Sequence, residues 1–105
     1  DGSGLTGVGT TWESKSSAFT AEVAKAYFCD TSSSAFTATL PSSASAGDEV
    51  RFLDVSGTFD TNNLTVGRNS HNIQGAGSDL VVSTERAGFA LVYYNATQGW
   101  LLKDK

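Results

Sequence analysis

The residues able to do chemistry are few. One histidine, His71, and one cysteine, Cys29, stand in 105 residues. A nucleophile needs a base within hydrogen-bond reach. Serines are many, but no nucleophile-elbow pattern surrounds any of them, and no nearby sequence pairs Cys29 with a histidine. Cys29, inside Tyr-Phe-Cys-Asp, reads as a small buried thiol. Glycoside cleavage needs two carboxylates a few ångströms apart. Asp48, Glu49, Asp54 and Asp60 are neighbours only in sequence. Gly47-Asp48-Glu49 reads as turn chemistry, with Asp48 bonding the backbone at a strand entry. The expectation is therefore no catalysis. With a single histidine there is no intrachain ligand cluster, so neither a metal site nor a cofactor is expected. Three copies of His71 on a threefold axis could hold a transition metal; an exposed loop histidine is the plainer reading.

What remains is hydrogen-bonding chemistry in loops. Asn62, Asn63, Arg68, Asn69, His71, Asn72 and Gln74 fall within thirteen residues, and they form the candidate binding set. Arg68 and Arg86 can be read as loop anchors or as glycan ligands. Trp12 and Trp100 are amphipathic and read as packing before they read as sugar platforms. Asn63-Leu64-Thr65 and Asn95-Ala96-Thr97 match the glycosylation acceptor pattern and read here as turn and strand chemistry.

Those residues need a frame. Phe36, Ala38 and Leu40 alternate with Thr37 and Thr39; Val50 and Phe52 flank Arg51; Leu64 and Val66 flank Thr65. Period-two alternation puts side chains on opposite faces of a sheet. Turn-forming runs separate the segments at 41–47, 56–63 and 67–72. Strands are expected at 13–20, 26–30, 36–40, 49–55, 64–68, 80–84, 89–94 and 100–102, with a turn at 21–25. A helical turn at 22–26 is the competing reading there. The polar run 31–34 suggests a hairpin, and the apolar run 89–94 suggests a central strand. The fold class expected is all-β: short antiparallel strands in a small sandwich or barrel-like domain. Phe36, Leu40, Val50, Phe52, Leu64, Val66, Leu80, Val82, Leu91 and Tyr93 should be its core. Gly4, Gly7 and Gly9 make the start loop-like, so 1–11 reads as a linker or stalk end and 12–105 as one β domain. Short β domains of this kind leave edges and apolar faces uncovered, which favours oligomers.

Charged residues make up only 17% of the chain and the formal net charge is −4. No basic run is present to neutralise phosphates, so nucleic acid is not an expected partner. No apolar run reaches membrane length, and no secretion signal opens the chain.

Asp30-Thr31, the run from Ala35 to Pro41, Gly47-Asp48-Glu49-Val50 and Asp54 together form a pattern. It continues through Asn62-Asn63-Leu64-Thr65-Val66, Arg68-Asn69, Ile73-Gln74-Gly75, Asp79-Leu80, Leu91-Val92-Tyr93 and Gly99-Trp100. In order and spacing this resembles a module of tailed-phage virion proteins, found in tail fibres, short fibres and capsid fibres or decoration proteins. The resemblance covers roughly 26–102. Two places depart from it. Val23-Ala24-Lys25 stands where the family has Gly-Asp, and Asn69-Ser70-His71-Asn72 replaces a plainer turn. The resemblance implies a homotrimeric, β-rich, non-enzymatic part of the virion whose partners are itself, other virion proteins and a host-surface glycan. A fibre tip that presents polar loops for host attachment is the first expectation. A capsid decoration or head fibre, and a fragment of a polysaccharide-degrading tailspike, are the alternatives.

Overall fold

A computed structural model describes residues 11–103 of the chain. Nine strands lie in chain order: β1 (Thr11–Lys15), β2 (Phe19–Thr20), β3 (Lys25–Cys29), β4 (Phe36–Thr39), β5 (Glu49–Asp54), β6 (Leu64–Gly67), β7 (Leu80–Val82), β8 (Gly88–Tyr93) and β9 (Trp100–Lys103). The protein is all-β. The strands form two sheets, ordered β1-β3-β5-β8-β9 and β2-β4-β6-β7. Of the 1–11 linker, residues 1–10 lie outside the described part, and Thr11 already belongs to β1.

Three ladders are antiparallel as expected: β5–β8, β8–β9 and β6–β7. Four are parallel instead: β1–β3, β3–β5, β2–β4 and β4–β6. The cause lies in the links. Each of the first five connections carries the chain from one sheet to the other, so the next strand in a given sheet returns in the same direction. β1/β2, β3/β4 and β5/β6 are thus three successive coils of a two-sheet parallel stack. The polar run 31–34 is such a crossing and not a hairpin. The single strand expected over 13–20 is two strands in different sheets, broken at Ser16, Ser17 and Ala18. Residues 21–24 form a turn, with Ala24 at φ 64°, and no helical turn. The centre of the larger sheet is β5, with β8 beside it.

The core lies between the sheets. Tyr27, Phe52 and Leu91 from one meet Phe36, Ala38, Leu64 and Val66 from the other, and Phe19 tilts onto Tyr27 with 4.7 Å between ring centroids. Eight of the ten expected core residues are buried; Leu80 and Val82, on the edge strand β7, are half-buried against the core. Tyr27, Cys29, Phe59, Ile73 and Trp100 join it. Phe59 and Ile73 come from loops, where isolated apolar residues leave no periodic signal.

Candidate functional site

Strand direction sorts the loops into two ends. β2, β4, β6 and β8 finish, and β3, β5, β7 and β9 begin, at one end. That end carries loops 21–24, 40–48, 68–79 and 94–99. The opposite end carries 16–18, 30–35, 55–63 and 83–87. The seven residues of the candidate binding set are therefore divided. Arg68, Asn69, His71, Asn72 and Gln74 share the first end; Asn62 and Asn63 lie at the second.

At the first end the long loop 68–79 is pinned to its neighbours through these side chains. The Asn69 amide donates to the Leu40 carbonyl at 2.9 Å. His71 Nε2 lies 3.0 Å from the Ser42 carbonyl, and its ring meets Tyr93 edge-on at 5.3 Å. The Asn72 amide donates to the Thr97 carbonyl at 2.8 Å. Arg68 Nη1 donates to the His71 carbonyl at 3.2 Å, and Gln74 Oε1 accepts from the Leu102 N–H at 3.1 Å. Backbone bonds reinforce the seam: Trp100 N–H to Asn72 O, Gln74 N–H to Trp100 O, and Gly75 N–H to Gln98 O, all at 2.9 Å. Ile73, buried in the middle of the loop, anchors it to the core. Asn69, Ser70 and Gln74 take positive φ. Asn tolerates that region because its short side chain bonds locally; at Ser70 and Gln74 the strain is held by the seam. A Cβ on Gly99 would overlap the Asn72 carbonyl oxygen, so only glycine allows 94–99 to lie against 68–79. Gln98, Asn95, Thr97 and the ring of Tyr94 are exposed on this rim.

The second end is organised by Asp54, a residue 1% exposed. One carboxylate oxygen accepts the N–H groups of Gly57 and Thr58 at 2.9 and 3.1 Å; the other accepts those of Phe59 and Arg86 at 3.0 and 2.9 Å. Burial alone would raise the Asp54 pKa, but the four backbone N–H groups outweigh it and hold the carboxyl below its ordinary value. Arg86 Nη1 donates to the Val55 carbonyl at 2.9 Å; Arg86 is thus a loop anchor. Asn62 donates to the Thr31 carbonyl at 2.8 Å. Asp30 accepts from Ser32 N–H and Ser56 Oγ, and these bonds pull its pKa down to about 2.

The two aspartates that flank β5 lie at its opposite ends. Asp48 caps the Ser45 N–H at 2.8 Å at one end of β5, and Asp54 closes the other, six residues or about 20 Å away at ~3.3 Å per residue. Glu49 pairs with Arg51 at 2.7 Å. Among the described residues no group of three or more His, Cys, Asp or Glu side chains is placed to hold a metal ion. Cys29 is buried, and desolvation first, with the nearby Asp54 charge, pushes its thiol up to about 12 against a smaller lowering by a backbone bond.

Asp54 and Asp30 are the loop-holding residues that sequence reading undervalued. The available signal was an acidic residue ending a strand before a Ser- and Gly-rich loop, which is the composition of an Asx-type turn. In comparison with known proteins, no family model and no curated protein matches the chain.

Proposed function

We propose that the protein is a non-enzymatic structural module of a phage virion, homotrimeric, acting as a fibre tip that presents one loop end to a host-surface glycan. The observation that carries the reading is the seam at that end: Asn69 and His71 bond carbonyls of loop 40–48, and Asn72 bonds a carbonyl of loop 94–99. Loops held on a stiff β frame are suited to recognition, because little conformational freedom remains to be lost on binding. The order of Leu40-Pro41, Gly47-Asp48, Asp54 and Gly99-Trp100 that resembles phage fibre and capsid-fibre modules supports the same reading. So does the roughly 20 Å between Asp48 and Asp54, twice or more the separation a glycosidase pair uses.

The tailspike alternative has one observation in its favour: the three parallel coils β1/β2, β3/β4 and β5/β6 are the unit from which longer parallel β-coils are stacked. One experiment separates the readings. The protein is incubated with host cells and with purified host polysaccharide, and bound protein, released reducing ends and polymer size are followed. A fibre tip binds and leaves the polymer intact. Turnover abolished by Glu49→Gln or Asp48→Asn overturns the non-enzymatic reading. Neither binding nor turnover overturns host attachment and leaves capsid decoration as the role.

A further inference from the structure

Strand β9 is the outermost strand of the larger sheet on the side away from β1. Trp100 turns both of its backbone groups away from β8. Its N–H donates to the Asn72 carbonyl, and its carbonyl accepts from the Gln74 N–H, both at 2.9 Å. Ile73 is thereby bridged to Trp100 in parallel. A strand continuing in that direction would next offer the main-chain carbonyl of Gln74 to the Leu102 N–H, because the bonds of a parallel ladder repeat evenly along it. The chain does not continue. Gln74 and Gly75 take φ 54° and 77°, and Ile73 and Ala76 exchange N–H···O bonds at 2.9 and 3.0 Å. Two successive positive φ values make this a tight turn of the I′ kind, which carries the backbone away from β9. The Leu102 N–H is met instead by the Gln74 side chain, whose Oε1 accepts it at 3.1 Å.

We propose that Gln74 is an autoinhibitory cap on the sheet: its amide oxygen stands in for the carbonyl of a further strand, ends the larger sheet at β9 and keeps the strand of another chain from pairing there. The other edges are protected by different means. β1 carries the charged core-side residues Glu13 and Lys15, and inward-pointing charges on an edge strand deter pairing. β2 and β7, the edges of the smaller sheet, have only two and three residues. β9 has four, of which Trp100, Leu101 and Leu102 are apolar. An apolar edge of that kind is a template for strand addition, and it is the edge that residues 72–74 cover. The Gln74–Leu102 bond lies at the surface, within reach of a competing carbonyl. Because Gln74 belongs to the same chain, its oxygen acts at an effective concentration that an incoming strand must exceed. The cap acts at β9 irrespective of what the loop end binds.

Gln74→Gly separates the cap from the turn, since glycine adopts positive φ freely and only the side-chain acceptor is lost. Gln74→Glu keeps an acceptor oxygen and serves as the rescue. Amide exchange at Leu102 is followed by NMR, and mass by sedimentation velocity over a range of concentrations, with the wild type as the baseline. In Gln74→Gly, Leu102 should exchange about tenfold faster at low concentration, and the mass should rise above that of the wild type as concentration increases. Gln74→Glu should match the wild type in both. Leu102→Pro, which removes the N–H, should abolish the added association when combined with Gln74→Gly. Unchanged Leu102 exchange in Gln74→Gly overturns the proposal, because the bond then does not cover the edge. Faster exchange with no gain in mass overturns it as well, because the covered edge is then not one that pairs. Wild-type exchange at Leu102 that slows as concentration rises also overturns it, since β9 would then pair with Gln74 in place. Should Leu102→Pro fail to fold, the exchange and mass of Gln74→Gly decide.

Discussion

Replacing Asp54 by asparagine removes one charge and reverses one end of a hydrogen-bonding group, with almost no change in volume. In the wild type, four backbone N–H groups converge on the carboxylate at 2.9–3.1 Å. The D54N amide can serve two of them through its remaining oxygen. The other two meet an NH2 group, a donor facing donors, in a site 1% exposed. Each buried donor left without an acceptor costs about 1–3 kcal/mol, so two, together with the weakening of the surviving pair by loss of charge, should cost about 3–5 kcal/mol. A domain of this size is stable by about 5–15 kcal/mol in total, so the urea midpoint should drop by roughly a fifth or more. The slope of the transition should stay the same, because the surface exposed on unfolding is unchanged. A loss under about 1 kcal/mol would refute the reasoning, since the loops would then satisfy their N–H groups without the carboxylate.

The same substitution has a pH signature. The Asp54 carboxyl is held below its ordinary value in the folded protein. Its contribution to stability is thus fully present above the unfolded carboxyl pKa of about 3.9 and is lost as pH falls through the folded value. Wild-type stability should decline in acid more steeply than that of D54N, and the two curves should converge toward low pH. Parallel curves would show that the carboxylate bonds contribute no charge-dependent stability.

Two further outcomes follow from single atoms. With its thiol pushed up to about 12 by burial, Cys29 should resist iodoacetamide at pH 8 in the folded protein and react on unfolding; native-state reaction at the rate of a model thiol would contradict its placement in the core. Gly99→Ala must displace the Asn72 carbonyl, whereas Gly47→Ala, also at positive φ, meets no atom within 4 Å; the first should cost at least about 2 kcal/mol and the second about 1 kcal/mol, measured by urea unfolding, and equal costs would show that loops 68–79 and 94–99 do not pack as described.

Alternation made the faces legible but not the neighbours. Phe36 and Ala38, Val50 and Phe52, Leu64 and Val66 all point inward as their spacing predicts, because a period of two states only that successive side chains alternate. It carries no information on whether the adjacent strand runs parallel or antiparallel. Direction is set by whether a link stays in its sheet or crosses, and a polar run such as Thr31-Ser32-Ser33-Ser34 is compatible with either. β1 was obscured for a related reason. Its core-side positions are Thr11, Glu13 and Lys15, opposite Lys25, Tyr27 and Cys29, so the edge that protects the sheet is the strand that lacks an apolar stripe.

The candidate site shows a different limit. Asparagine, histidine and glutamine in a loop advertise donors and acceptors, but the loop itself needs them first. A segment as long as 68–79, packed over Ile73 and Trp100, brings backbone carbonyls together that strand pairing does not satisfy, and such groups are rarely left without partners. Leu40, Ser42 and Thr97 offer carbonyls, and Asn69, His71 and Asn72 supply the partners. Side chains that read as a binding surface are therefore the ties that hold the loop. On the proposed function, recognition at this end would fall to what the ties leave outward, the Tyr94 ring and the polar rim of Asn95, Thr97 and Gln98, and a change at His71 or Asn72 would act on a ligand through the position of that rim.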